Sequence, residues 1–304
     1  MRRPSMQKTL ALALTLGAAA LPSRADDVGV LRRAPVSREA EPAAGFTLSL
    51  ATLPVSDADY AAYQKKADSL YGDADAEAVR TFFDHLRRGH RPPLMRRKQW
   101  HACVNDVFAR LIAKAPGEVE VDTLLATAAR KAADTVVRDY ALQHLALLAG
   151  AGQGPGEQAP PPPKTPEAAT AIEVLWEATG WRETSLAGTA LLNLYRLKEG
   201  MGGDTRLADT ALEVASDPGA HGAARSTALQ VGLNLGDARF LEPARTIADR
   251  TPVLAHRVSA TRVLATHAKP EDRTLLLQLR LRGPELVSTI ANEALTRLDH
   301  EKAR

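Results

Sequence analysis

After Gly117 the chain repeats one pattern, and nothing else in it constrains the fold as much. Each copy is a helix-period segment, a short turn often carrying Asp, Pro or Gly, and a second segment with a small residue usually followed four positions on by leucine. The second segments are Val137–Leu145, Leu186–Leu194, Ala224–Gly232, His256–Leu264 and Ile290–Leu298. Their aligned alanines, Ala141, Ala190, Ala228, Ala260 and Ala294, are 49, 38, 32 and 34 residues apart. The first gap contains Gly150 to Lys164, 15 residues with four consecutive prolines that no helix accommodates; without them it is 34. A repeat of this length, with alanine allowing close helix approach and leucine filling the seam beyond, predicts stacked helical hairpins, because one hairpin cannot bury its own apolar face.

The form Val-Arg-x-x-Ala-x-x-x-Leu at Val137–Leu145, echoed at Ala224-Arg225 and His256-Arg257, resembles the second helix of HEAT repeats of the armadillo-like class. The resemblance covers residues 118–304 and is weaker at Ala187 and Ala291, where the arginine is missing. It implies an all-α fold: a right-handed α-solenoid of about five HEAT-like hairpins whose second helices line a concave surface. It also implies that Arg138, Arg225 and Arg257 are structural and help bridge neighbouring units. The expected division is a first hairpin at 117–149, a Pro/Gly-rich loop at 150–164 and four further hairpins at 165–304, preceded by an N-terminal helical region at 46–116.

The N-terminal region predicts a helix from Asp75 past Phe82 and Leu86 to Gly89, and another whose face carries Trp100, Cys103, Val104, Val107 and Leu111, stopped by Pro116-Gly117. Ser56-Asp57 can cap a further helix through Lys66, and Phe46–Leu53 is the only strand-like stretch. Aromatic residues make up only 4% of the chain, in keeping with helices packed through small residues.

Residues 1–25 read as a cleaved signal peptide. Arg2, Arg3 and Lys8 precede the apolar run Leu10–Leu21, and Ser23-Arg24-Ala25 is a small-x-small cleavage site, so the expected location is periplasmic or secreted. Residues 26–45 mix charge with proline and read as a flexible lead-in. Removing the leader takes away four cations (Arg2, Arg3, Lys8 and Arg24) and no acid, so the formal charge falls from +3 to −1. A mature body without basic excess argues against nucleic acid as partner, and no later run reaches the ~20 apolar residues a membrane helix needs. The single cysteine, Cys103, cannot form a disulfide within the chain.

The His-Glu-x-x-His, Gly-x-Ser-x-Gly and P-loop motifs are absent, no cofactor is implied, and Gly200-Met201-Gly202-Gly203 joins two helical segments. His85, His90, His101 and Cys103 are the best metal-ligand candidates, but their spacing matches no zinc pattern and Cys103 falls on the apolar stripe. Arg80, Arg87, Arg88, Arg91, Arg96, Arg97 and Lys98 form the densest basic cluster, readable as a solvated face or as a surface for an anion. Trp176 and Trp181 read as core aromatics. The expected function is an exported scaffold binding a protein partner on the concave helices. Asp139, Tyr140, Gln143 and His144 are the candidate contacts, because they cannot all be buried together with Ala141 and Leu145. The alternative is a hydrolase or metal-dependent enzyme with its site in the N-terminal helical region.

Overall fold

The computed structural model describes residues 76–91, 96–114, 119–151, 165–197 and 205–302. The leader and lead-in, Phe46–Leu53, the Ser56–Lys66 helix, most of the 150–164 loop and Gly200–Gly203 lie outside these residues.

Among the described residues there are twelve α-helices and no strand. They are α1 (Ala76–Arg88), α2 (Arg97–Lys114), α3 (Val121–Lys131), α4 (Thr135–Leu148), α5 (Pro166–Ala178), α6 (Leu186–Leu197), α7 (Thr205–Ser216), α8 (Gly222–Asn234), α9 (Leu241–Arg250), α10 (Leu254–His267), α11 (Arg273–Arg282) and α12 (Glu285–Lys302). Short 3-10 turns, Ala238–Phe240 and Pro270–Asp272, lead into α9 and α11.

Local chemistry sets the boundaries. The Asp134 carboxylate accepts from Val136 N and caps α4, while Thr165 Oγ1 accepts from Ala168 N at the start of α5, where Pro166 occupies the first turn at no hydrogen-bond cost. Gly89 ends the α1 segment at φ +71°, a left-handed conformation that costs glycine nothing.

From α3 onward the helices pack in adjacent pairs: α3 with α4, α5 with α6, α7 with α8, α9 with α10, α11 with α12. The second helices also pack on one another in chain order, from α4 through α6, α8 and α10 to α12, and α2 extends this row at its beginning. First helices touch each other less: α1 meets α3 and α3 meets α5, but from α5 onward contact within this row is sparse. The aligned alanines sit at the centre of the packed row, each no more than 1% exposed. Trp100, Cys103, Val104, Val107 and Leu111 are all buried on the inner face of α2.

The arginines of the repeat do a specific job. Arg138 Nε donates to Ala129 O at 2.7 Å, Arg225 Nε to Ala215 O at 3.1 Å, and the Arg257 guanidinium to Thr251 O at 2.8 Å. Each acceptor is a carbonyl at the end of the first helix of the same hairpin, one of the groups that a helix terminus leaves without a partner. A cation at that end also meets the negative pole of the helix. The arginine thus closes its own hairpin; Arg138 additionally lies 4.6 Å over the Trp181 ring of the next pair. In the last hairpin, where Ala291 replaces the arginine, Arg297 reaches Ala265 O and Ala268 O at the end of α10.

One copy breaks the leucine pattern, and packing explains it. At Gly232 a Cβ would lie 2.3 Å from the Phe240 ring, which is wholly buried in the space a leucine would fill. The core volume is supplied from the following turn instead of from the helix itself.

Candidate functional site: the second-helix face and its N-terminal seam

The residues two positions beyond the aligned alanines, Gln143, Leu192, Gln230, Arg262 and Thr296, are exposed or half-buried on successive second helices. They form a face of hydrogen-bonding and small apolar groups with one cation. Gln143 is exposed and donates to Asp139 Oδ2 at 2.7 Å; Gln230 donates to Asn234 at 2.8 Å.

The structure separates the four candidate contacts. Asp139 is half-buried and its carboxylate also accepts from Thr189 Oγ1 of α6, joining two second helices. Tyr140 is half-buried against the core, and its hydroxyl pKa is raised by burial first and then by the negative charges of Asp139 and Asp134. Gln143 alone stands fully in solvent. His144 is only 5% exposed: its Nε2 donates to Asn105 Oδ1 of α2 at 2.9 Å, and its ring meets Phe108 edge-on at 5.8 Å. His144 is therefore a seam residue between α2 and α4. Burial, only partly offset by the bond to Asn105, lowers its pKa to about 4, and Nδ1 has no partner among the described residues. A neutral ring with its proton on Nε2 suits this setting.

No protein-family model, curated protein or solved structure matches the chain.

The proposed metal candidates do not converge. Cys103 is free and wholly buried, His101 Nε2 lies 2.9 Å from Asp134 Oδ2, and the His85 and His90 rings meet edge-on at 5.5 Å. Among the described residues no group of three or more His, Cys, Asp or Glu is arranged to hold a metal ion. No described helix is long and apolar enough to cross a membrane. Trp176 and Trp181 pack on the core as half-buried residues, with the Arg206 guanidinium 4.0 Å over Trp176.

Sequence reasoning passed over Asn105, Thr189 and Asp134. The last had a legible signal, an aspartate just ahead of a helix. Its role in the fold is larger than capping: Oδ1 accepts from Val136 N, while Oδ2 accepts from Arg97 at 3.3 Å and faces His101. Burial alone would raise its pKa, but the bonds from His101 and Val136 N and the charge of Arg97 outweigh that and hold it below the ordinary carboxylate value.

Proposed function

We propose that this chain is an exported helical-repeat scaffold, a right-handed α-solenoid of five HEAT-like hairpins that binds a protein partner across its second helices. The carrying observation is the unequal packing of the two rows: second helices pack closely along the whole stack, whereas contact between first helices is sparse from α5 onward. A stack with one tight row and one loose row curves toward the tight one, so the second helices line the inner surface. Gln143, Leu192, Gln230 and Arg262 then point into one groove. Neutral amide and hydroxyl groups beside small apolar ones suit a polypeptide surface, which offers both backbone polar groups and side chains.

Export rests on the leader, and N-terminal sequencing of envelope or secreted material is expected to start at Asp26. For binding, the wild type and a Gln143→Ala/Gln230→Ala variant are immobilised and challenged with native envelope extract. The variant is expected to lose the protein captured by the wild type while its melting temperature shifts by no more than about 2 °C. Equal capture by both would remove this face from the binding reaction.

A further inference from the structure

Where the end of α1 meets the starts of α2 and α4, a cavity of about 210 Å³ opens. Its floor is apolar: Leu86, Trp100 and Val137, each no more than 4% exposed. Its wall carries His90, Arg91, Arg97 and one acid, Asp134.

The charges in this wall are not balanced. Both Asp134 oxygens are committed, one to the α4 backbone and the other to Arg97 and His101. Arg97 offers Asp134 one bond at 3.3 Å and keeps 69% of its side chain in solvent. Arg91 makes no ion pair with any described residue. Arg87 and Arg88, on the preceding turn, share the single carboxylate of Asp84. The cavity therefore has cationic donors to spare above an apolar floor.

That combination selects a ligand. A bare dianion such as phosphate is strongly hydrated and would gain nothing from Leu86, Trp100 and Val137. A monocarboxylate attached to a small apolar group meets both surfaces, the carboxylate on the arginines and the apolar group on the floor.

We propose that this cavity binds a carboxylate carried next to an apolar side chain, as in the C-terminal residue of a polypeptide or a free small acid of the same shape. The site is independent of the groove-binding reading, since none of its lining residues is Gln143 or Gln230.

The test titrates purified full-length protein with N-acetyl-leucine, N-acetyl-leucinamide, inorganic phosphate and a tetrapeptide ending in leucine with a free carboxylate, following heat of binding. Saturable binding of N-acetyl-leucine, lost in the amide and weaker by at least tenfold for phosphate, is the expected result. Arg91→Gln should weaken that binding by about tenfold, the loss of one charge-assisted hydrogen bond, with an unchanged melting curve. A tetrapeptide binding more tightly than the capped amino acid identifies a polypeptide C-terminus as the source, and equal or weaker binding a free acid. Equal affinity for the amide, equal or better affinity for phosphate, an Arg91→Gln variant that binds as the wild type does, or no saturation would each overturn the proposal.

Discussion

Two buried contacts made by second helices solve the same problem with opposite chemistry. Between α2 and α4, the position three residues beyond Ala141 is His144, neutral, buried and held by Asn105 and Phe108. Beyond α8, the position four residues after Ala228 is Gly232, and the volume it vacates is filled by Phe240. The first contact pairs polar groups at a defined geometry; the second relies on shape alone. The stack thus tolerates either solution, although His144 Nδ1 stays without a partner among the described residues. It follows that the first contact should respond to pH and the second only to volume.

The largest effect is expected at the apolar contact. Gly232→Leu restores the repeat pattern but drives a side chain into the Phe240 ring, so it should destabilise by about 3 kcal/mol or more. Phe240→Ala alone should cost about 3 to 5 kcal/mol. In the double variant the two changes should offset one another in part, and urea unfolding of all four proteins measures this coupling. Simple additivity would break the idea that one volume is shared between the two positions.

At the polar seam the dependence is on acid. The folded-state pKa of His144 lies at about 4, below the ordinary 6.5, so the neutral form is the one the fold accommodates. Above pH 6.5 its contribution is fully present. As the pH falls below that value the unfolded chain takes up the proton first, and stability should decline by about 3 kcal/mol by pH 4. His144→Gln should flatten this part of the stability curve while leaving the Gly232→Leu effect untouched. An unchanged slope would mean that other groups, not this seam, sense the acid.

A smaller effect separates closure within a hairpin from contact between hairpins. Arg138→Met keeps the apolar stem but leaves the Ala129 carbonyl without its donor, and thermal unfolding should show a loss of about 1 to 2 kcal/mol. The smallest belongs to the exposed pair of Arg130 with Glu177, which links α3 to α5. Glu177→Gln should change stability by less than about 1 kcal/mol, and that difference should vanish in high salt. If it exceeded the Arg138 effect, the ranking of closure above surface bridging would be reversed.

Much of the architecture was legible before any coordinates. The alanine register identified the centre of every second helix, and the apolar stripe from Trp100 to Leu111 identified the buried face of α2, because burial follows helical periodicity and periodicity is a property of the sequence. Gly89 as a stop was an equally local matter of backbone chemistry, whereas the caps Asp134 and Thr165 were passed over although their signal is local too. The candidate contacts were less legible. Periodicity requires only that Asp139, Tyr140, Gln143 and His144 not all be buried with Ala141 and Leu145; in the structure Gln143, about 200° around the helix from Ala141, is exposed and His144, about 60° from it, is buried. What decides between them is whether another helix covers that part of the arc, and α2, far off in sequence, covers His144.

The same division holds for the rest of the molecule. By itself the sequence determined that the described residues are helical and which small residues are buried among them, since these depend on interactions a few residues long. Only the tertiary structure decided that Phe240 stands in for a missing leucine, that the repeat arginines close their own hairpins, and that Arg91 and Arg97 meet an apolar floor beside Asp134. Each of those depends on groups brought within a few ångströms by packing, and no spacing along the chain encodes which surfaces will be left facing one another.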